Sequence, residues 1–569
     1  AMVRLNTHFF GWNLPKGCQA QLDNFVKDGH RILCVAFPPD RADAWTIITD
    51  TTFANRNIPS ECDQRMREIR NGGKRVQAVA FPHKRSNSFS LITDDGVFNR
   101  NIPASCDTKM RALEADGHRI VGLGFPPENR NGWCIITDRD VASSSIDAEC
   151  DERMQALQAA GQRITGVSFH WAADNKWTLT TDRGMFNRRI GHRCHRTMRA
   201  FRGLGAFPLA CVAHGPDGGF VVVGSATPFQ AKGPALVQPN GKRFSIDAML
   251  AELVAQMDGN AVKYGVVLRH GNAVRTAVDG PARIVSTPPA RDFTVFDWFN
   301  PASVTKTISS VAMLQLLDAK NLPITTHIHD YLPPTWDIGP NVTTITMAEL
   351  LNHSSGFRGG ELEYGELREM VQQGVTLADK TEKYCNCNTA LARIVIAYLD
   401  GHKHNLLSDG EATAARFIAV VQKNIFDPLG IPEVGWTKDE EAPTLFFSDP
   451  PMVAGTAYGD YRDKPGSAGS HLSLAELVSF LHALSQGEEL LSGAMRTIMR
   501  ESQLGMARAA VDFGGAMRKR GFFPPGKNGG AQLNSGIWWF SSGVLAAAVS
   551  NGDREFKMER AFNRAWEDA

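Results

Sequence analysis

The chain has 569 residues, enough for two to four domains, and 43% of them are apolar, so large cores can form. With 61 basic against 60 acidic residues the net charge is +1, which leaves no basic footprint for nucleic acid and no acidic tail for a cationic partner. There is no run of 18 or more apolar residues, so no transmembrane helix and no membrane partner are expected. The opening Ala1-Met2-Val3-Arg4 has no signal-peptide hydrophobic stretch. Either a signal has been removed, or the protein starts at Met2 and is not exported.

The first part of the chain is periodic. Cys18, Cys62, Cys106, Cys150 and Cys194 recur every 44 residues, as do Gly29, Gly73, Gly117, Gly161 and Gly205. Phe37, Phe81, Phe125 and Phe169 keep the same step, and so do Asp50, Asp94, Asp138 and Asp182. One period held by four residue types marks an array of about five units, the last one degraded. In each unit the Cys, the residue four on (Leu22, Met66, Met110, Met154, Met198) and the residue seven on fall on one helical face. The periodic Gly sits where a helix ends in the left-handed conformation. Two strand-like runs follow, for example Arg31–Phe37 and Trp45–Asp50. A unit of one helix and at least two strands cannot bury both strand faces alone, so the array is expected to stack as a closed, propeller-like ring. The repeated Cys reads as a small apolar residue on the buried helix face. Disulfides such as Cys18–Cys34 or Cys134–Cys150 are compatible with the spacing, but connectivity is not readable. No compact Cys/His spacing suggests zinc, no cofactor motif occurs, and the repeated Trp, Asp and Phe read as fold-keeping residues.

The repeats fade after Cys211, and the Gly/Pro/Ala-rich text that follows reads as a linker. The expected division is a repeat domain over 1–228, a linker over 229–243 and a second domain over 244–569. The second domain opens with an amphipathic helix capped by Ser245. Strand-like runs follow at Tyr264–Arg269 and Ala273–Val278, then long helical text. Gly536–Phe540, Val544–Ser550 and a last helix near 556–565 close the chain. Strands at both ends with helices between predict one α/β domain whose sheet is built from both termini.

Three elements carry chemistry. Ser303-Val-Thr-Lys306 opens a helix reaching about Ala319, and two side chains three residues apart share a helical face. A serine hydroxyl needs a base, and a desolvated Lys among other cations can be neutral enough to serve. Ser-x-x-Lys alone is weak, since a chain of this length holds about one by accident. Tyr384-Cys385-Asn386 is the second: Tyr384 can be held as a phenolate or can relay a proton, and Asn386 can bind a substrate amide and orient Lys306. Cys385 and Cys387 flank Asn386 and read as small packing residues. His353 falls in a structural turn. The third is Lys527-Asn528-Gly529-Gly530, whose small residues let a substrate backbone lie along a strand edge. The N–H groups of Gly530 and Ser303 would then form an oxyanion hole.

These elements, in this order, resemble the serine β-lactamase/penicillin-binding superfamily, and Tyr-x-Asn resembles its class C, DD-peptidase and family VIII esterase branch. Asn300-Pro-Ala-Ser303, Leu350-Leu-Asn-His-Ser-Ser-Gly356 and Ser467-Ala-Gly-Ser-His-Leu-Ser-Leu-Ala-Glu-Leu477 resemble further segments of that branch, over about 244–569. The resemblance implies a β-lactamase/transpeptidase-like α/β fold, an acyl-enzyme on Ser303, and Lys306, Tyr384, Asn386 and Lys527 as catalytic partners. The joining of repeats to such a domain is similar to the polyglycine hydrolases, secreted fungal endoproteases that cut Gly-Gly bonds in plant chitinase linkers. This implies a secreted endopeptidase whose partner is a protein with a glycine-rich linker. A β-lactamase or family VIII-like carboxylesterase, and a binding protein with a retained hydrolase fold, are the other readings.

Overall fold

The computed structural model describes residues 3–39, 41–437, 443–448, 455–509, 515–524, 532–552 and 557–569. The chain divides into two compact units, Thr7–Gln230 and, as the other, Ala1–Asn6 with Ala231–Ala569.

In the first unit the helices of the repeats are Cys18–Lys27, Ser60–Asn71, Ala104–Ala115, Ala148–Ala159 and His192–Gly203. Each buries the periodic Cys and its partners four and seven residues on, as in Cys62, Met66 and Ile69. The periodic glycines all have φ between 68° and 83°, the left-handed turn that stops each helix and that a Cβ would strain. Burial pushes the thiols of Cys18, Cys62, Cys106 and Cys150 up to about 12, so they sit in the core as neutral apolar groups. Neither Cys18–Cys34 nor Cys134–Cys150 is bonded; all four are free thiols.

Each helix leads into an antiparallel sheet of three strands, one more than two hydrophobic runs announce. The first sheet is Ile32–Ala36, Trp45–Thr49 and Phe53–Arg56; the next three repeat it. The third strand is short and half-buried, as in Phe-Ala-Asn-Arg, so it lacks an apolar signature. The fifth sheet takes Cys211–His214 and Phe220–Val223 from the end of the unit and Phe9–Trp12 from its beginning, paired from Phe220↔Trp12 to Val223↔Phe9. The first strand of each sheet packs against the first strand of the next, and Cys211–His214 packs back on Ile32–Ala36. The repeated Asp residues accept the backbone N–H of Arg31, Arg75, Arg119 and Arg163 at 2.9–3.2 Å, pinning the start of each first strand. The indoles of Trp45, Trp133 and Trp177 donate to groups at the helix starts.

The second unit is built on a seven-stranded antiparallel sheet in the order Arg4–Leu5, Ala273–Asp279, Lys263–His270, Val544–Gly552, Gln532–Trp539, Met517–Phe523, Ala507–Arg508. Helices Ile246–Met257 and Met558–Asp568 share a core with it, where Trp538 stacks on Phe562 at 3.7 Å and Phe540 on Trp566 at 4.5 Å. Gln238, within the stretch read as a linker, is buried in this unit and donates to the Trp566 carbonyl. The helix Leu474–Gln486 packs on the central strands Lys263–His270, Val544–Gly552 and Gln532–Trp539. Thr305–Ala319 packs with Asn386–Leu399 and Asp409–Val421, and its residues from Thr305 to Leu314 are all buried. That buried helix fixes what stands at its N-terminus. Among the described residues, no helix is long and apolar enough to cross a membrane.

Candidate active site

Ser303 sits in a 3₁₀ turn, Ala302–Val304, that runs into the helix Thr305–Ala319. The turn is held from three sides. Asn300 Oδ1 accepts the N–H groups of Ala302 at 3.0 Å and Gly469 at 3.2 Å. The Pro301 carbonyl accepts the Ser535 hydroxyl at 2.7 Å. Gly521 lies so close that a Cβ there would collide with the Pro301 oxygen and Ser535 Oγ. Ala302 has φ +50°, a left-handed conformation costly for a residue with a Cβ and retained only because its surroundings fix it.

Two groups meet the Ser303 hydroxyl. Lys306 Nζ donates to Ser303 Oγ at 2.9 Å, and Ser303 Oγ and the Tyr384 hydroxyl are 2.6 Å apart. Lys306 is wholly buried and also donates to the Ser467 carbonyl at 2.7 Å. Burial first, and repulsion from Lys519 second, hold its amine well below the usual lysine range. A neutral amine accepts a proton, so this lysine can act as a base. Burial raises the Tyr384 hydroxyl, with the Ser303 contact opposing, so Tyr384 is a neutral phenol at neutral pH and not a phenolate. The relay reading of Tyr384 fits that state.

Asn386 begins the helix Asn386–Leu399 and its Oδ1 lies 3.4 Å from the Tyr384 hydroxyl. The expectation that it orients Lys306 is corrected: the lysine's second acceptor is Ser467 O, while Asn386 reaches the tyrosine. Cys385 and Cys387 are joined to each other by a disulfide that brackets Asn386, which corrects their reading as simple packing residues. His353 is buried with its ring 4.7 Å from Tyr384. Its Nδ1 accepts Cys385 N–H at 3.5 Å, and burial, then Lys519 and Lys306, push its pKa down to about 3. It is a neutral ring supporting the Tyr384 segment.

Lys527 and Gly530 lie outside the described residues. The second cation at the site is Lys519, which sequence reading passed over. Its Nζ is 4.9 Å from the centre of the Tyr384 ring, and Lys306 Nζ is 5.3 Å from it. Lys519 is buried, and its pKa falls to about 7 through burial and then repulsion from Arg518. It stands in the strand Met517–Phe523, whose alternation puts Lys519, Gly521 and Phe523 on one face and Arg518 and Arg520 toward Glu559 on the other. Lys519-Arg520-Gly521 is thus a Lys-x-Gly signal two residues before the aromatic end of a strand. It was hidden because charged text does not read as a strand. Among the described residues, the neighbouring strand Ala507–Arg508 pairs with Arg518 and Met517. Phe523 stacks on Tyr458 at 4.6 Å with ring planes 4° apart.

The β-lactamase family model matches residues 246–562, more than half of the chain. The chain belongs to the β-lactamase family. No curated protein matches it. Among solved structures, the D-amino acid amidase of Ochrobactrum anthropi SV3 is 15% identical, with 57% of this chain and 98% of that one covered and a TM-score of 0.45. A class C β-lactamase from Rhodobacter sphaeroides is 16% identical, covering 57% and 98%, with a TM-score of 0.42. A β-lactamase/D-alanine carboxypeptidase from Yersinia pestis is 16% identical, covering 56% and 98%, with a TM-score of 0.43. The family match ends at residue 562 and begins at 246, so the repeats lie outside it.

Proposed function

We propose that this β-lactamase-family chain is a serine hydrolase that forms an acyl-enzyme on Ser303 and cleaves internal peptide bonds in extended, glycine-rich segments. The observation that carries the chemistry is one hydroxyl held between a neutral-leaning amine, at 2.9 Å, and a phenol, at 2.6 Å. In the reading that follows, Lys306 takes the Ser303 proton as Oγ attacks the substrate carbonyl carbon. The oxyanion is met by the Ser303 N–H and by a backbone N–H on the outer edge of the Met517–Phe523 strand beside Gly521, a role first expected of Gly530. Tyr384 passes a proton to the departing amine, and Lys519 keeps Lys306 poorly protonated. Water then attacks the ester carbonyl by the same groups in reverse, freeing Ser303.

The substrate reading rests on weaker supports. The Lys519, Gly521, Phe523 face ends in the flat Tyr458–Phe523 stack, a wall that suits an extended main chain with little side-chain bulk. The repeat unit would hold the rest of a protein substrate. Its five sheets are proposed to close as a propeller-like ring; the pairing of Phe9–Trp12 with Phe220–Val223 and the packing of Cys211–His214 on Ile32–Ala36 support closure. The Cys385–Cys387 disulfide supports an oxidising, extracellular setting.

The test is a side-by-side assay of wild type and Ser303→Ala on a glycine-linker protein, a D-Ala-D-Ala peptide, a short-chain ester and nitrocefin. Cleavage between glycines, absent in Ser303→Ala, is the expected result. Nitrocefin turnover with an untouched linker would make it a β-lactamase, ester turnover alone a carboxylesterase. No adduct with a fluorophosphonate or a penicillin probe would leave a binding protein.

A further inference from the structure

The free cysteines fall into two kinds. Cys18, Cys62, Cys106, Cys134, Cys150 and Cys194 are buried; Cys34 and Cys211 are partly exposed. Those two are also neighbours. Cys34 lies in Ile32–Ala36, the first strand of the first sheet, and Cys211 opens Cys211–His214 in the last. The two strands pack together. Cys211 Sγ is 3.5 Å from the Val35 nitrogen and 3.7 Å from the Val35 oxygen, which places it beside residue 34. Each thiol donates to a main-chain carbonyl, Cys34 Sγ to Val79 O at 4.0 Å and Cys211 Sγ to Val35 O at 3.7 Å. The nearness of the two thiols holds Cys34 below the usual range and raises Cys211, a division that suits an attacking and a resolving sulfur.

We propose that Cys34 and Cys211 are a disulfide-forming site, oxidised by exchange with a low-molecular-weight disulfide, that joins the first and last sheets of the repeat unit covalently. The Cys34 thiolate attacks one sulfur of the small disulfide, whose S–S bond breaks and releases one small thiol. Cys211 gives up its proton, attacks the Cys34 sulfur of the mixed disulfide and expels the second small thiol. Two protein S–H bonds are lost, one protein S–S bond forms, and one small disulfide is reduced to two thiols. The pairing is selective because access and proximity coincide here. Cys134 and Cys150 are close in the core, but both are fully buried and Cys134 Sγ rests against Met154 Sδ at 3.5 Å. The bond would tie residues 177 apart in sequence at the seam where the two ends of the unit already share a sheet, and constraining so long a loop raises stability chiefly through the unfolded chain.

The test uses the full chain and oxidised glutathione. After incubation, the protein is denatured, alkylated and analysed by intact mass and peptide mapping. The expected result is the loss of two alkylatable thiols relative to the untreated sample, with Cys34 and Cys211 in one cross-linked peptide. The unfolding midpoint of the repeat unit should rise by several degrees. Cys34→Ser and Cys34→Ala should show neither effect. An unchanged thiol count, a glutathione adduct that stays on Cys34, or a cross-link between other cysteines overturns the proposal. The wild-type mass measurement decides this even where a variant folds poorly.

Discussion

Lys519 Nζ stands 4.9 Å from the centre of the Tyr384 ring, on the same tyrosine whose hydroxyl meets Ser303. Burial first, and then the charge of Lys519, lower the Lys306 pKa. Lys519→Met removes that repulsion, so the Lys306 pKa rises and more of the base is protonated at a given pH. The acid limb of the kcat/KM profile should therefore move to higher pH, and turnover at neutral pH should fall. An unmoved acid limb would separate Lys519 from the base.

Lys306 and Tyr384 should be separable by step. Lys306→Ala removes the acceptor of the Ser303 proton, and both acylation and turnover should drop by about 10²–10⁴-fold. Tyr384→Phe leaves Lys306 in place beside Ser303. It should acylate an ester with a good leaving group far better than it cleaves an amide, because only the amide nitrogen needs the relayed proton. Equal losses on ester and amide would mean that Tyr384 does not serve the leaving group.

What the sequence shows depends on the kind of signal each element leaves. The helix behind Ser303 and the periodic Cys faces leave hydrophobic spacing, and they appear where that spacing puts them. The strand Met517–Phe523 carries Arg518, Lys519 and Arg520, two of which point to Glu559, so its alternation is one of partners and not of polarity. The sequence accordingly pointed to Lys527, in a glycine-rich stretch, and not to Lys519. The third strand of each repeat is too short and polar to announce itself, and the fifth sheet borrows Phe9–Trp12 from 200 residues away, a pairing with no local signature. The packing of Cys211 beside Cys34 joins residues 177 apart, again with no local signature, so spacing suggested Cys18 for Cys34 instead.

Gly521 is a place where one methyl group should disable the site without unfolding the unit. A Cβ there meets the Pro301 carbonyl and the Ser535 hydroxyl, and the backbone carrying Ser303 must shift to admit it. Displacement by about 1 Å can cost on the order of 10²-fold in rate. Gly521→Ala should lose that much kcat/KM, while stability falls by only about 1–3 kcal/mol, the usual range for overpacking. Thermal unfolding and probe labelling together check this; wild-type activity in the variant would mean the strand edge yields freely.

Acid should loosen the repeat unit through two buried imidazoles. His8 accepts the Ile32 N–H on Nε2 at 3.4 Å, and burial, then Arg31, against an opposing Asp50, push its pKa down to about 4. His214 lies 3.1 Å from the Thr178 hydroxyl, and burial, then His170, push it down to about 3. Above the unfolded value of about 6.5 neither state binds a proton and stability is independent of these groups. Below it the unfolded chain takes up protons that the folded unit refuses, so stability falls with pH until the folded values are reached. Each imidazole contributes a slope on the order of 1 kcal/mol per pH unit in that window. Hydrogen exchange on peptides from Phe9–Trp12 and Phe220–Val223, whose sheet adjoins both histidines in sequence, should show protection falling between pH 6.5 and 5 after correction for intrinsic rates. His8→Gln together with His214→Asn should flatten that dependence even if the variant is less stable at neutral pH. Protection that stays constant across the window in wild type would show that both rings accept protons inside the fold.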